Sequence, residues 1–486
     1  VPFLTELLQR ASMAEAKVSG ETSELITDIT ADSRAVKKGT IFVAIAGTKN
    51  DGAQYIADAV KNGAAAVVAT AAVKTSVPVI TVADSRAAIS ALANALYPQQ
   101  PEFLYAVTGT DGKTSSADFI RQLTALMGHK SASIGTLGLR SPIQFLNDQF
   151  PAVNTSPEPV LLRRMLSSLA DAGVTHVAVE ASSHGLQQKR LDGLRFAAGA
   201  FTNLTRDHLD YHGTLEAYAD AKARLFSDIL PSSAIAVLNR DDAQFEKLKN
   251  ICDQRGIIVR SFGTHAQADY RIVTVTPHAD GLDATLVLQG KDYAVKLPLY
   301  GAFQLSNILT ALAMLDLKPA ALDALVKELP KLAGVPGRLE KVATANGAPI
   351  FVDYAHTPAA LENILKTLRP HTAKKLHVLF GAGGDRDQGK RPEMGKAAIT
   401  FADHVIVTDD NPRSEDPAAI RAAIMAAATG AEDIADRAKA IRAGVKKLQP
   451  GDVLVVAGKG HETTQTIGKQ VIHFNDAEHI REAAGQ

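Results

Sequence analysis

One cysteine, Cys252, serves the whole chain of 486 residues, which excludes an intrachain disulfide and a cysteine-built zinc site. Net charge is missing too: 52 Lys and Arg balance 52 Asp and Glu. No basic field therefore draws the whole chain to nucleic acid or an anionic membrane, although local basic pockets remain open to it. No apolar run approaches the ~18 residues that span a bilayer. Residues 1–20 carry Glu6, Arg10 and Glu15 where a signal peptide needs an apolar centre. A cytoplasmic chain without membrane insertion is expected. Low-complexity tracts and fixed-period repeats are also lacking. What is present is 46% hydrophobic residues, enough for several cores, in a length that suggests about three domains.

The densest chemical signal is Ala-Val-Thr-Gly-Thr-Asp-Gly-Lys-Thr at 106–114. An apolar run enters a glycine turn and leaves as an Ala/Leu-periodic helix ending near Gly128. That layout suits a phosphate cradle, in which backbone N–H groups at a helix N-terminus surround an anion. Lys113 would add a point charge and Thr114 a metal-binding hydroxyl. The first glycine of the longer Gly-x-x-x-x-Gly-Lys-Thr pattern would fall on Val107, so Gly109, Thr110, Asp111 and Gly112 form a shorter variant. A plain glycine turn is the competing reading of this stretch alone.

Three segments follow from the pattern: 1–100, 101–335 and 336–486. The first alternates short apolar runs with Ala-rich helical stretches and ends at Gln99-Gln100-Pro101. The second opens with the glycine loop and carries strands near 175–180 and 196–202. At 270–297, alternating Thr/Val/Leu runs broken by Asp280-Gly281 and Gln289-Gly290 predict antiparallel hairpins. Gly334-Val335-Pro336-Gly337 marks the last boundary. Beyond it, apolar runs at 349–352, 376–380, 404–407 and 453–457 each lead into a polar cluster. These clusters are Asp353–His356, Gly383–Arg386, Asp409–Arg413 and Gly458–Glu462. Parallel strands would put all of them at one carboxyl edge, where open α/β sheets bind ligands.

Several single residues invite chemistry and also have plain readings. Glu180 ends an apolar strand and suits a Mg²⁺ shared with Thr114, or is an exposed strand-end carboxylate. Ser182-Ser-His-Gly185, Gln188 and Arg190 suit an anionic or carbohydrate ligand, or a simple turn. His208, with Asp207, Asp210 and His212, suits metal binding or proton transfer. Leu215, Tyr218, Lys222 and Leu225 share a helical face. A lysine there either packs its stem and sends its head to water, the commoner outcome, or is held in a pocket for chemistry. Asn307 and Arg338 suit adenine or phosphate, and each is equally an ordinary helix-start or linker residue.

The ordered series is specific. Gly109–Thr114, Glu180 with Ser182-Ser-His-Gly185, Thr202-Asn203 with Asp207-His208-Leu-Asp210-Tyr-His212, Gly301-x-Phe303 with Asn307, Pro336-Gly-Arg338 and Asp353-Tyr-Ala-His-Thr-Pro358 together resemble the Mur ligases. These are ATP-dependent amide-forming enzymes of peptidoglycan synthesis. The resemblance spans essentially the whole chain, including Asp32-Ser33-Arg34. Asp410-Asn411-Pro412-Arg413 looks like the signature of members that take meso-2,6-diaminopimelate rather than L-lysine.

The resemblance implies an α/β fold of three domains: an N-terminal one for the UDP end, a central P-loop-type ATPase with a parallel sheet, and a Rossmann-like C-terminal one for the amino acid. ATP would meet Gly109, Thr110, Asp111, Gly112, Lys113, Thr114, Asn307, Arg338, Asp353, Tyr354 and His356. The acceptor, UDP-MurNAc-L-Ala-D-Glu, would meet Ser33, Asn154, Thr155, Ser156, Ser182, Gln188 and Arg190. Lys113, Glu180, His208 and Lys222 would be catalytic. Lys222 would be carbamylated by CO₂, and with Thr114, Glu180 and His208 it would hold Mg²⁺, two ions in all. A monomer is expected.

For the amino acid, diaminopimelate differs from lysine by a second carboxylate, which a guanidinium grips bidentately. Arg413 suits that carboxylate, Asp410 and Asn411 orient its loop, Glu462 suits the distal ammonium and Arg386 the other carboxylate, with Gly458 alongside. Two positions depart from the family: Asp111 stands where Asn is usual, and Gln304 follows Phe303 where Asn is usual. With Lys113 and the loop N–H groups retained, Asp111 is expected to be tolerated. Rival readings are the L-lysine-adding form, another Mur-type ligase such as folylpolyglutamate synthetase, and a nucleotide-gated binding module without turnover.

Overall fold

Continuous apolar runs bounded by turns become strands buried on both faces, as parallel sheets covered by helices require. Ala64–Ala69, His176–Glu180, Leu376–Phe380 and Val453–Ala457 are buried at every position. The computed structural model describes residues 1–20, 23–47 and 51–486. The chain forms two compact units, Val1–Asp269 with Asn307–Leu317, and Tyr270–Ser306 with Lys318–Gln486.

The first unit holds two sheets. The N-terminal one runs Lys17–Ser19, Val79–Thr81, Ala64–Ala69, Thr40–Val43, Asp28–Thr30. The helix Ser85–Leu96 lies where the Ala-rich pattern predicts it, capped by Asp84, whose side chain accepts from Arg86 N and Ala87 N. The larger sheet orders Ile258–Gly263, Ile235–Asn239, Ala198–Phe201, Phe103–Thr108, His176–Glu180, Ser131–Gly135 and Gly138–Arg140. Its strands pair in parallel except for the last. Phe103–Thr108 is thus central, flanked by the strands that end at Glu180 and just before Thr202. The glycine loop leaves it for the helix Lys113–Leu126, and Gly112 makes the entry with φ 83°, a conformation glycine adopts without strain.

In the second unit, Tyr270–His278, Gly281–Leu288 and Lys291–Leu297 form the antiparallel meander. Its second turn has positive φ at both Gln289 and Gly290, matching the twist of a tight hairpin. The other sheet orders Glu340–Ala345, Ala348–Asp353, Val453–Ala457, Leu376–Phe380, His404–Val407 and Glu432–Asp433. Its four long inner strands are parallel, so the four polar clusters do share one carboxyl edge. A separate hairpin, Thr464–Ile467 with Gln470–His473, follows the last cluster.

One helix departs from its sequence pattern. Leu215 is 45% exposed, while Tyr218, Lys222 and Leu225 are buried. The α-helix Leu215–Arg224 passes into a π-helical turn, Leu225–Ile229. The regular i, i+3, i+7, i+10 stripe therefore holds from Tyr218 inward and fails at its first residue, which sits at the helix start.

Candidate functional site

The glycine loop is braced from the neighbouring strand end. Thr110 N donates to Asn203 O at 2.8 Å, Asp111 N to Asn203 Oδ1 at 2.9 Å, and Thr202 Oγ1 to Asp111 O at 2.6 Å. A Cβ on Gly109 would lie 1.8 Å from Thr202 Oγ1, so the loop closes against that strand only with glycine there. Lys113 Nζ bends back to the loop, donating to Gly109 O at 2.9 Å and Thr110 O at 2.6 Å. Asn307 packs at the same helix start: Ser116 Oγ lies 3.5 Å from its Oδ1.

Thr114 and Glu180 meet directly. Thr114 Oγ1 donates to Glu180 Oε2 at 3.0 Å, and Thr136 donates to the same carboxylate through its N–H (2.8 Å) and Oγ1 (3.2 Å). Glu180 is buried, not the exposed strand end of the plain reading. A Cβ on Gly135 would come within 2.0 Å of Glu180 Oε1; glycine leaves room for the carboxylate. A hydroxyl and one buried carboxylate beside a phosphate-type loop fit Mg²⁺, which takes few carboxylates and keeps its other positions for phosphate oxygens and water.

Lys222 does not send its head to water. It is 1% exposed, its Nζ donates to Gly109 O at 2.7 Å, and it lies 4.2 Å from the Tyr218 ring centroid. Burial, aided by the positive charge of Lys113, lowers its pKa to about 6. The amine is therefore mostly neutral near pH 7, the form that adds CO₂. Tyr218 also anchors the loop, its hydroxyl 3.3 Å from Thr110 Oγ1. His208, exposed and left-handed at φ 51°, stands edge-on to His184 (5.1 Å) and Tyr218 (6.0 Å). His212 reaches Ser183 Oγ at 2.9 Å. Burial lowers the pKa values of His184 and His212, with neighbouring cationic groups adding to the effect.

A polar cluster adjoins this site. Ser156 Oγ donates to Glu180 O at 2.7 Å and accepts from Ser182 N at 2.8 Å. Arg190 donates to Ser156 O at 2.7 Å and to Gln188 Oε1 at 2.7 Å. Gln188 in turn donates to Tyr211 OH at 3.2 Å. Thr155 lies 3.2 Å from Thr136, hydroxyl to hydroxyl. Asn154 is exposed in an irregular stretch. Ser33 starts a short 3₁₀ turn in the N-terminal sheet region, where its carbonyl accepts from Asn62 Nδ2 at 2.9 Å.

In the second unit, Asp353 accepts from Leu339 N and Ala355 N, both at 2.8 Å. The Arg338 guanidinium lies 5.2 Å from the Tyr354 ring centroid, and Tyr354 packs against His356 at 4.7 Å. Further along the edge, Asn411 Nδ2 donates to Glu462 Oε2 at 2.9 Å, and Arg413 Nη1 to Gly384 O at 2.8 Å. Asp410 approaches Gly458 so closely that a Cβ there would lie 2.6 Å from Asp410 Oδ2. Arg386 is exposed, its guanidinium 3.4 Å from Asp385 O.

Family models cover most of the chain: the Mur ligase family catalytic domain over 25–106, the Mur ligase middle domain over 107–315, and the Mur ligase glutamate ligase domain over 337–460. The chain belongs to the Mur ligase family. A UDP-N-acetylmuramoyl-L-alanyl-D-glutamate--2,6-diaminopimelate ligase of Agrobacterium fabrum is 49% identical over 465 residues, 95% of this chain and 94% of that one. A solved structure of a ligase with the same name is 34% identical, with TM-score 0.73, covering 100% of this chain and 99% of that one. A folylpolyglutamate synthase of Mycobacterium tuberculosis, 20% identical with TM-score 0.61 over 82% of this chain and 95% of its own, shares the fold.

Within this Mur ligase, the first unit gathers Gly109–Thr114, Asn307, Glu180 and Lys222, with Ser156, Ser182, Gln188 and Arg190 alongside. The second gathers Asp410, Asn411, Arg413, Gly458 and Glu462, and separately Arg338 with Asp353–His356. Sequence reasoning gave no task to Thr136, Lys390 and Lys459, and named Tyr218 only as a neighbour of Lys222 on one helical face. Lys390 donates to His356 O at 2.8 Å, and burial lowers its pKa. Thr136 follows the strand that pairs in register with His176–Glu180, a neighbour relation that needs the sheet order to be read. Tyr218 shares the buried face with Lys222 and was the one legible signal.

Proposed function

We propose that the chain is the ATP-dependent ligase that joins meso-2,6-diaminopimelate to the D-glutamate γ-carboxylate of UDP-MurNAc-L-Ala-D-Glu. The observation that carries this reading is the tied arrangement of Asn411, Arg413 and Glu462 at the carboxyl edge of the second unit's sheet, in a family whose near relatives bear that enzyme's name. A guanidinium and a carboxylate on one edge match a ligand with an extra carboxylate and an ammonium. In this reading residues 1–100 take the UDP end, 101–335 the nucleotide and 336–486 the amino acid, in a cytoplasmic monomer.

The chemical problem is that an amine cannot displace oxide from a carboxylate. Phosphorylation of the γ-carboxylate by ATP supplies a leaving group, and the amine of diaminopimelate displaces phosphate. Lys113 and the N–H groups where the loop enters the helix Lys113–Leu126 hold and neutralise the transferring phosphoryl group, where positioning and electrostatics provide most of the acceleration. Thr114 and Glu180 would hold Mg²⁺, with Lys222 as a carbamate and His208 for a second ion; the metal supplies neutralisation of phosphate charge. The neutral, buried Lys222 amine fits that modification. Arg190 and Gln188, held together beside Ser182, suit the anionic acceptor. The Asp111 N–H is spent on Asn203 Oδ1, so the phosphate falls to Lys113 and the N–H groups at the start of the helix Lys113–Leu126, which the Asp111 side chain leaves in place.

The test is amide formation with purified acceptor, ATP and diaminopimelate, each omitted in turn. The reading requires phosphate release that depends on all three. Steady phosphate release without acceptor, or without an amine, would sink it.

A further inference from the structure

Lys459 is a buried cation to which neither the sequence motifs nor the reaction above gives a task. It is 0% exposed, and lysine is rarely so buried unless its charge is met. Its ammonium has three N–H donors and three acceptors around it: Thr464 O at 2.7 Å, Asn411 Oδ1 at 3.3 Å and Glu462 Oε2 at 3.4 Å. Those contacts use the donors, so Lys459 acts on its neighbours rather than on a ligand.

Its neighbours are the groups assigned to the amino acid. Asn411 Oδ1 also accepts from Thr466 N at 2.9 Å while its Nδ2 donates to Glu462 Oε2 at 2.9 Å. The amide is thereby fixed in one orientation, and Glu462 Oε2 is engaged twice. The hairpin that begins at Thr464 grips the same loop along its length. Gln465 Nε2 donates to Asp410 O at 2.7 Å, Arg413 N to Thr466 O at 3.0 Å, and Gly468 N to Arg413 O at 2.6 Å. Arg413 holds a left-handed backbone, φ 51°, a conformation that a non-glycine residue keeps when its surroundings impose it.

We propose that Lys459 is a positioning residue for amino-acid selection: its ammonium ties Asn411 and Glu462 to the Thr464–Ile467 hairpin strand and so sets the 410–413 loop. The inference rests on the reading of that loop as the diaminopimelate site. Part of the Glu462 charge is answered by Lys459 through one carboxylate oxygen, which directs the other toward the ligand's ammonium.

The experiment compares the full-length protein with Lys459→Met and Gln465→Ala in steady-state assays, varying ATP, acceptor, meso-diaminopimelate and L-lysine separately. Loss of hydrogen bonds to a charged group predicts a ~10- to 100-fold higher KM for diaminopimelate in Lys459→Met, with KM for ATP and acceptor within ~2-fold. The diaminopimelate-to-lysine ratio of kcat/KM falls by ~10-fold or more, a change that general destabilisation would not produce because it lowers both arms alike. Gln465→Ala keeps every charge, loosens the same loop at Asp410 O and raises the diaminopimelate KM by a smaller factor, ~2- to 10-fold. If Lys459→Met fails to fold, Lys459→Arg, which keeps the charge but not its placement on the three acceptors, carries the test with the same readouts. Wild type active with diaminopimelate and variants unchanged from it, or all KM values rising together, would overturn the inference alone. Wild type idle with diaminopimelate would overturn the amino-acid reading and the inference with it.

Discussion

Lys222→Met should stabilise the protein and disable it. In the fold the Lys222 amine has a pKa of about 6 against an ordinary 10.5. Between those values the unfolded chain binds a proton that the folded chain does not, so stability from this group rises with pH. At about pH 7.5 the amine must lose its proton on folding against roughly three pH units, at about 1.4 kcal/mol each, or about 4 kcal/mol. Methionine removes that penalty. It also removes the hydrogen bond to Gly109 O, worth about 1 kcal/mol, but Gly109 O keeps Lys113 Nζ as a donor at 2.9 Å and is not left bare. The net expectation is about 3 kcal/mol of added stability near pH 7.5, shrinking to nothing near pH 10. Chemical unfolding of both proteins in CO₂-free buffer across that range measures the difference, and ligase assays in bicarbonate should find the variant inactive. A variant less stable near pH 7.5, or a difference that does not change with pH, would refute the buried neutral amine.

Further consequences concern other parts of the molecule. Arg413→Ala should lose ~2–5 kcal/mol on diaminopimelate, at least a ~30-fold drop in kcat/KM, with ATP affinity nearly unchanged by titration; equal losses for both would count against its assignment. Gly135→Ala would press a methyl group to 2.0 Å from Glu180 Oε1 and displace the carboxylate, so the magnesium concentration for half-maximal rate should rise several-fold. In the second unit, Arg437 and Asp476 form an ion pair with both side chains 0% exposed. Arg437 also donates to Ala457 O at 3.0 Å, where the last cluster begins. Asp476→Ala strands that guanidinium and should cost the second unit ~3–5 kcal/mol in urea unfolding; a loss under ~1 kcal/mol would show that the charge is answered elsewhere.

The strands and the carboxyl-edge clusters of the second unit were legible because fully buried parallel strands are unbroken apolar runs ending in polar turns. The meander was legible through its glycine turns. The family followed from motif order, and Leu215 shows where helical periodicity overreaches at an element's end. Lys222 was undecidable from spacing because its environment is Gly109 O, which folding delivers from far along the chain. Thr136 and Lys459 were invisible for the same reason: their work is to hold Glu180, Asn411 and Glu462, and sequence separation says nothing about who supports whom. Asp111 could be weighed in advance only as an added charge, while the brace from Asn203 to its N–H depends on two adjacent strand ends.

ATP-dependent phosphate release with UDP-MurNAc-L-Ala-D-Glu as acceptor, with meso-diaminopimelate and L-lysine offered in parallel, decides which amino acid this ligase adds. Sustained release with diaminopimelate and little with lysine is the expected result. Release with lysine alone would keep the ligase and contradict the role given to the 410–413 loop, and release with neither, in a preparation that binds ATP, would contradict the proposed acceptor and reaction.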